Sequence, residues 1–310
     1  MATVYNQIDA NRNKTWLIMF LFSAFIVGVV YVFAGALGYQ GPGALGLAGF
    51  ALILTGLMNW GSYYYSDKLV MAISGAKPAE RKDNPQLYNL VENLCIGAGL
   101  PVPKIYFIDD TAPNAFATGR DPKHAAIAVT TGLLQKLDKL ELEGVLGHEL
   151  SHVKNYDTRL MTIVTILVGM IALLADWFIR ITWYGGHRDR EERGSGAAIF
   201  MIIGIVLAIL APIIGMLIQL AISRRREFLA DASSALLTRY PDALASALLK
   251  ISQDREPLEV ANKATAHLYI VNPLKGLPAG RQGQQVIGWF AGLFNTHPPI
   301  EERVKALKDM

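Results

Sequence analysis

Residues 148–152 read His148-Glu149-Leu150-Ser151-His152, and this stretch decides the fold of the 310-residue chain. Histidines four residues apart lie on the same face of a helix, so both rings can reach one ion at about 2.0–2.1 Å. Glu149 is turned about 100° away from His148 and can take a proton from a water that the ion activates. The stretch predicts a hydrolytic zinc site, although a pattern with three fixed positions also arises by chance.

The helix that carries this stretch has a clear start and a clear inner face. Asp138 followed three residues later by Glu141 resembles a capping box. Apolar residues then recur at helical spacing and form one stripe, made of Leu142, Leu146, Leu150 and Val153. We therefore expect the stripe to pack inward while the two histidines face elsewhere.

A third zinc ligand is predicted in the stretch Ser223 to Asp231, where Glu227 and Asp231 are again four residues apart. Zinc hydrolases use three protein ligands and keep a fourth position open. With Glu227 as the third ligand, Asp231 is spaced to accept the other ring N–H of a ligating histidine. The alternative is that the two carboxylates only balance neighbouring arginines through ion pairs on the helix.

Together, these motifs resemble those of the HtpX-type membrane-bound zinc metalloproteases, bacterial relatives of the CAAX prenyl proteases. The matching stretches are, in chain order, Asn114-Ala115-Phe116-Ala117-Thr118-Gly119, His148 to His152 with Asn155 and Asp157, Ser223 to Asp231, and Thr296-His297-Pro298-Pro299 with Arg303. The resemblance implies a gluzincin site, with two histidines and a glutamate on one Zn²⁺. It also implies that His297 and Arg303 stabilise the oxyanion and that substrate binds along Asn114, Ala115, Phe116, Ala117 and Thr118.

The residues alone say less about the predicted substrate strand and about the segment that contains His297. Lys104 to Asp109 and Ala125 to Thr130 indicate short strands, with Ala115 to Thr118 a third between them. An open sheet edge can accept an extended peptide through backbone hydrogen bonds, but these strands could equally do no more than cover the metal helix. A histidine before two prolines, such as His297, often only ends a loop ahead of a helix, here Ile300 to Leu307.

The composition predicts a membrane protein, since 52% of the residues are hydrophobic and only 18% are charged. Trp16 to Leu37 and Gly43 to Tyr64 are uncharged runs, each long enough for the roughly 30 Å hydrocarbon core, so they predict a transmembrane hairpin. The first run is too long for a cleaved signal peptide. Leu160 to Tyr184 and Ala197 to Ile222 form a second apolar pair, for which a soluble or partly embedded helical hairpin is the alternative.

The predicted fold is an α-helical integral membrane protein with two transmembrane hairpins and a mostly α, zincin-like metalloprotease domain that holds a small β-sheet. The predicted units are a cytoplasmic tail (1–14), the first hairpin (15–65), the first half of the protease domain with the zinc helix (66–159), the second hairpin (160–222) and the second half (223–310). Four spans put all the motifs on one side of the membrane.

Lysines and arginines flank the spans on the motif side, which favours the cytoplasmic face of a bacterial plasma membrane. Arg188, Arg190 and Arg193 in the opposite loop argue against this orientation. The single Cys95 cannot form an intramolecular disulfide, as suits the cytoplasm. The net charge of +3 is explained by anionic lipid headgroups, and we predict no nucleic-acid partner.

The predicted function is hydrolysis of peptide bonds in membrane or misfolded proteins by a zinc-dependent membrane-anchored endopeptidase, and the resemblance implies membrane-protein quality control. One alternative is a CAAX-type prenyl-peptide protease with the same site. Another is a catalytically silent membrane scaffold with structural zinc, against which Glu149 argues because a closed structural site needs no general base. A metal-ion carrier is disfavoured because the motifs flank the spans. Cleavage preference and oligomeric state stay open.

Overall fold

Two long helices open the chain and pack side by side. The computed structural model describes residues 4–36, 41–169, 224–254, 256–259, 265–271, 273 and 298–310. Helix α1 spans Val4–Ala36 and α2 spans Pro42–Ile73. Asn59 of α2 donates a hydrogen bond to the Ser23 hydroxyl of α1 at 2.8 Å. Each helix is about 50 Å long, so both ends can extend beyond a hydrocarbon core of about 30 Å.

Both helices are long and apolar enough to cross a membrane. Only 22% of the most apolar window of each is buried, so neither is the core helix of a soluble domain. Large apolar side chains point outward along them, including Phe20, Phe50 and Leu57. The first predicted hairpin is thus confirmed as two candidate membrane helices. The second predicted pair lies outside the described residues, apart from the helical residues 157–169.

A four-stranded mixed sheet lies beyond these helices. It consists of β1 (Lys77–Pro78), β2 (Lys104–Ile108), β3 (Ala115–Gly119) and β4 (Ala125–Thr130), in the order β1-β2-β4-β3. β2 and β4 are parallel, and β3 pairs antiparallel with β4 at the end of the sheet. The strands predicted near 104, 115 and 125 are therefore present. Gly119 has φ of 130°, and a Cβ there would lie 2.3 Å from the His124 carbonyl, so the turn requires glycine.

The remaining described helices include one that three of the others contact. They are α3 (Pro85–Ala98), α4 (Thr131–Lys136), α5 (Lys139–Lys154), α6 (157–169), α7 (Arg224–Thr238), α8 (Pro241–Gln253) and α9 (Ile300–Lys308). Short 3-10 turns cover Pro122–His124 and Ala266–Leu268. Helix α5 contacts α3, α7, α8 and β3. Its predicted stripe faces the core, with Leu146, Leu150 and Val153 fully buried and Leu142 half-buried.

Candidate metal centre

Three side chains from two helices bring their ligand atoms together. His148 and His152 project from α5, and Glu227 from α7, and the three ligand atoms lie within 4.8 Å of one another. The two Nε2 atoms are 3.1 Å apart. The Glu227 carboxylate lies 3.5 Å from Nε2 of His152 and 3.8 Å from Nε2 of His148. All three side chains are buried.

These separations fit a zinc ion. Bonds of about 2.0–2.1 Å in a tetrahedron separate neighbouring ligand atoms by roughly 3.3 Å, close to the 3.1 Å between the two Nε2 atoms and the 3.5 Å from Nε2 of His152 to the nearer Glu227 oxygen. Two imidazoles and one carboxylate are also the donor set of one class of catalytic zinc site. Three protein ligands leave a fourth position for water or substrate. The residues present therefore fit the metal that the spacing predicts.

Each histidine is oriented by an acidic side chain on its other ring nitrogen. Nδ1 of His148 lies 2.9 Å from an oxygen of Asp231, the partner that the sequence predicts. Nδ1 of His152 lies 3.0 Å from an oxygen of Asp157. Both contacts place the N–H on Nδ1 and turn Nε2 towards the shared point. Burial lowers the pKa of His148, which favours the neutral ring that binds metal.

Asp157 is a residue whose role sequence reasoning missed. It lies five residues after His152, at the start of α6 and beyond the turn that ends α5. The signal was present, since Asp157 belongs to one of the matching stretches, but spacing alone does not say which histidine it meets. Asn11 of α1 also reaches Asp157, and no pattern in the N-terminal segment indicated this contact.

Glu149 lies beside the ligands and is 2% exposed. Burial raises the pKa of its carboxyl to about 8, and the charge of Glu227 adds to this effect. The backbone N–H of Ala117 in β3 lies near the same carboxylate and works against the shift. A buried carboxyl group beside the ligands is suited to carry a proton.

Arg303 of α9 is fully buried behind His148. Its Nε and Nη2 donate to the two oxygens of Asp231 at 2.8 and 2.6 Å, a bidentate pair. Although burial disfavours the carboxylate, Arg303 lowers the pKa of Asp231 to about 2. Nη1 lies 3.6 Å from Glu227 and donates to the Ile270 carbonyl at 3.3 Å. His297, which the resemblance assigns to oxyanion stabilisation together with Arg303, lies outside the described residues.

The predicted substrate strand lies at the sheet edge beside Glu149. Asn114 bonds with Thr130 of β4, so alternate residues of β3 beginning with Ala115 turn their backbone groups outward. The Ala115 carbonyl accepts a hydrogen bond from the Ile270 N–H at 3.1 Å. Asn114 donates to the Val271 carbonyl at 2.9 Å. One end of the edge is therefore paired within the chain.

Comparison with known proteins identifies the family of the chain. Residues 81–310 match a family described as Peptidase family M48. A protein called Protease HtpX homolog from Dictyoglomus thermophilum is 45% identical over 309 residues, covering 99% of this chain and 95% of the relative. One of the same name from Caldanaerobacter subterraneus is 44% identical over 310 residues, covering 99% and 98%. Ste24p of S. mikatae shares the fold with a TM-score of 0.50 at 20% identity; the match covers 95% of this chain and 66% of Ste24p.

Proposed function

The chain belongs to peptidase family M48 and is a membrane-associated metalloprotease, and from this premise we propose that His148, His152 and Glu227 hold one catalytic zinc ion. The observation that carries the proposal is the convergence of the three ligand atoms within 4.8 Å. The fully buried Glu149 beside them distinguishes a hydrolytic site from a structural one.

Glu149 acts as the general base and then as the general acid. Its carboxylate accepts a proton from the attacking water and passes it to the departing amine nitrogen. The bound zinc would supply a Lewis acid that activates this water and polarises the scissile carbonyl. Asp231 and Asp157 hold the two ligand rings in the required tautomer. The resemblance assigns charge stabilisation to His297 and Arg303, and the Arg303–Asp231 pair supports indirect action of Arg303 through His148.

Substrate binds in an extended conformation along β3. Backbone pairing with a sheet edge tolerates many side chains, as a protease of broad specificity needs. The Ala115 carbonyl is already paired with Ile270, so the Ala117 carbonyl and the outward groups of Gly119 are left for the peptide. Ala117 also lies near Glu149, so a peptide paired with the Ala117 carbonyl has its scissile bond close to the base.

The substrates are membrane proteins or misfolded proteins met at the membrane surface, and the role is quality control. Four spans, with the second pair formed by 160–184 and 197–222, hold the active site at the cytoplasmic face of a bacterial plasma membrane. Two features support a position close to the membrane: α5 leads within three residues into α6, where the third apolar run begins, and Glu227 follows shortly after the fourth run.

The test is cleavage of a loosely folded membrane protein by the detergent-purified enzyme, with zinc content measured on every sample. We expect Glu149→Gln to keep about one zinc and lose activity by about 10²–10⁴-fold, because only the proton carrier is removed. Glu227→Ala should lose both zinc and activity. The matched control is Glu143→Gln on the same helix, which should retain both.

Retained proteolysis in Glu149→Gln would remove Glu149 as the base. Zinc in the wild type without cleavage of any client would favour a scaffold with structural zinc. Loss of activity in Glu143→Gln would mean that the helix tolerates no change of charge, and the effect at position 149 would no longer be specific.

A further inference from the structure

A buried polar cluster joins the first membrane helix to the metal centre. It consists of Asn11 from α1, Asp157 from α6 and Arg226 from α7, and we call it the Asn11 cluster. These residues are 3%, 1% and 6% exposed, respectively. Asn11 donates through Nδ2 to Asp157 at 2.7 Å and to the Asn155 carbonyl at 3.0 Å. Its Oδ1 accepts from Nη1 of Arg226 at 3.2 Å.

The Asn11 cluster touches the supports of two proposed zinc ligands. One oxygen of Asp157 receives the Asn11 amide, while the other contacts Nδ1 of His152 at 3.0 Å. Arg226 precedes Glu227 in α7 and lies 3.6 Å from Asp157. Asn11 therefore fixes Asp157, which orients His152. It also fixes Arg226, which precedes Glu227.

The chemistry of the Asn11 position requires a donor and an acceptor together. Arg226 is buried, and its Nη2 has no hydrogen-bond partner among the described residues, so the contacts of its Nη1 with Asn11 and Asp157 matter more for its charge. Alanine supplies neither group, and aspartate supplies no donor to Asp157. A buried hydrogen bond to a charged group stabilises more than one between neutral groups, and an uncompensated buried charge is strongly destabilising.

Asn11 also lies on the protease side of a group of aromatic residues typical of a membrane interface. Trp16 stacks on Tyr63 with ring centroids 5.7 Å apart, and Arg159 lies over the same Tyr63 ring at 5.6 Å. Tryptophan and tyrosine mark the membrane interface. Asn11 lies about 7 Å nearer the N-terminal end of α1 than Trp16, on the far side of these aromatic residues from the apolar part of the helix.

We propose that Asn11 is a positioning residue of the metal centre, which holds Asp157 against His152 and Arg226 beside Glu227. The first membrane helix is thus a part of the active site as well as an anchor. The inference rests on the proposed assignment of His152 and Glu227 as zinc ligands.

The experiment measures zinc affinity of the full-length protein in detergent, by competition with a chelating dye. Asn11→Ala should bind zinc about 10–100-fold more weakly, as for other partners of ligating residues. The kcat should fall while KM stays unchanged, and the cobalt-substituted variant should show an altered visible spectrum. The matched control is Asn13→Ala, an exposed asparagine on the same helix, which should behave as the wild type.

A double-mutant cycle separates positioning from plain helix packing. If Asn11 acts through Asp157, Asn11→Ala adds little further loss of zinc affinity to Asp157→Asn, whereas independent effects would add. Wild-type zinc affinity in Asn11→Ala would overturn the proposal, and additive losses in the cycle would overturn the action of Asn11 through Asp157. His152→Ala tests the ligand assignment separately: if it keeps its zinc, the proposed function fails, whatever Asn11 does.

The isosteric variant Asn11→Asp covers the case in which Asn11→Ala does not fold. It keeps the shape of the side chain but removes the donor to Asp157, so we again expect zinc affinity to fall at least about tenfold. Unchanged affinity in a folded Asn11→Asp would contradict the proposal. Failure of both variants to fold, beside a folded Asn13→Ala, would make Asn11 a structural residue and overturn it as well.

Discussion

Arg303 has a fully buried charge that the metal site itself compensates. Moving a guanidinium out of water costs several kcal/mol, and only good geometry with further hydrogen bonds offsets that cost. Both oxygens of Asp231 accept from Arg303, and the Ile270 carbonyl takes a further N–H. Because Asp231 also contacts His148, the pair connects α9 with the zinc helix.

We expect Arg303→Ala to lower the free energy of unfolding by about 3–5 kcal/mol, since it leaves Asp231 buried without its partner. Chemical unfolding in detergent, followed by circular dichroism, measures this change. Lys305→Ala, an exposed position on the same helix, should change stability by less than about 0.5 kcal/mol. Equal stability of Arg303→Ala and the wild type would mean that the pair with Asp231 does not form.

Spacing predicted one aspartate partner of a ligand but not the other. A spacing of four residues puts Asp231 and Glu227 on one helix face, so a contact of Asp231 with a ligating histidine could be anticipated from the pattern, and the structure shows that this histidine is His148. Asp157 and Asn11 are 146 residues apart, and no local pattern encodes contacts between segments so distant. Which acidic group contacts Nδ1 of a histidine depends on how the helices pack in the folded protein.

At the scale of elements, the start of the zinc helix follows from its sequence. The predicted capping box is confirmed, because Asp138 accepts from the Glu141 N–H and Glu141 accepts from the Asp138 N–H. Glu141 also accepts hydrogen bonds from Ser246 and Lys250 of α8, and no local sequence pattern indicates these contacts. One carboxylate thus both caps α5 and ties α8 to it.

Glu141 should make stability depend on pH. Burial disfavours its charge, but the hydrogen bonds from Lys250, Ser246 and the Asp138 backbone outweigh burial and hold its pKa below the usual 4.5. A lowered pKa in the folded state stabilises the protein above the unfolded pKa, and this stabilisation is lost as the pH falls below it. The difference in unfolding free energy between wild type and Glu141→Gln should therefore be constant above about pH 5 and shrink towards about pH 3.

Unfolding of both proteins in chelator across this pH range makes the comparison, since loss of zinc then plays no part. Other acidic groups titrate in both proteins and cancel in the difference. The Glu141 assignment would be wrong if the difference grew as the pH fell.

The contact between α5 and α7 depends on a glycine. A Cβ at Gly147 would lie 2.7 Å from the Ser234 hydroxyl oxygen and 3.5 Å from a Thr238 methyl. We expect Gly147→Val to overpack this interface, to lower the free energy of unfolding by about 1–3 kcal/mol, and to weaken zinc binding because α7 carries Glu227. Gly46→Val on α2, where a Cβ meets nothing within 4 Å, is the control. Equal effects at both glycines would contradict a specific contact.

At the scale of the whole molecule, hydropathy predicted the first pair of membrane helices because length and apolar composition suffice for that inference. It did not predict how the helices dock. The residues 4–14, predicted as a tail, are the first turns of α1, and within them Asn11 reaches the metal centre. One polar side chain decides that contact, and a sliding average over hydropathy does not register a single residue.

Membrane topology is tested by labelling engineered cysteines with a membrane-impermeant maleimide. The native Cys95 gives no background, because it is 1% exposed and burial, with Glu92, raises the pKa of its thiol to about 11. For the proposed orientation, Arg190→Cys should react in intact spheroplasts, and Lys82→Cys, at an exposed site beside the sheet, only after lysis. Wild type should react only after denaturation.

The alternatives give different labelling patterns. The reverse order, with Lys82→Cys labelled from outside, would put the active site on the other face of the membrane. Protection of both cysteines until lysis would mean that the loop at 185–196 never reaches the outer face, and the second hairpin would then be partly embedded. In that case only the first two helices anchor the protease in the membrane. The apolar runs 160–184 and 197–222 must then be covered on the cytoplasmic side, because soluble proteins rarely expose large apolar patches.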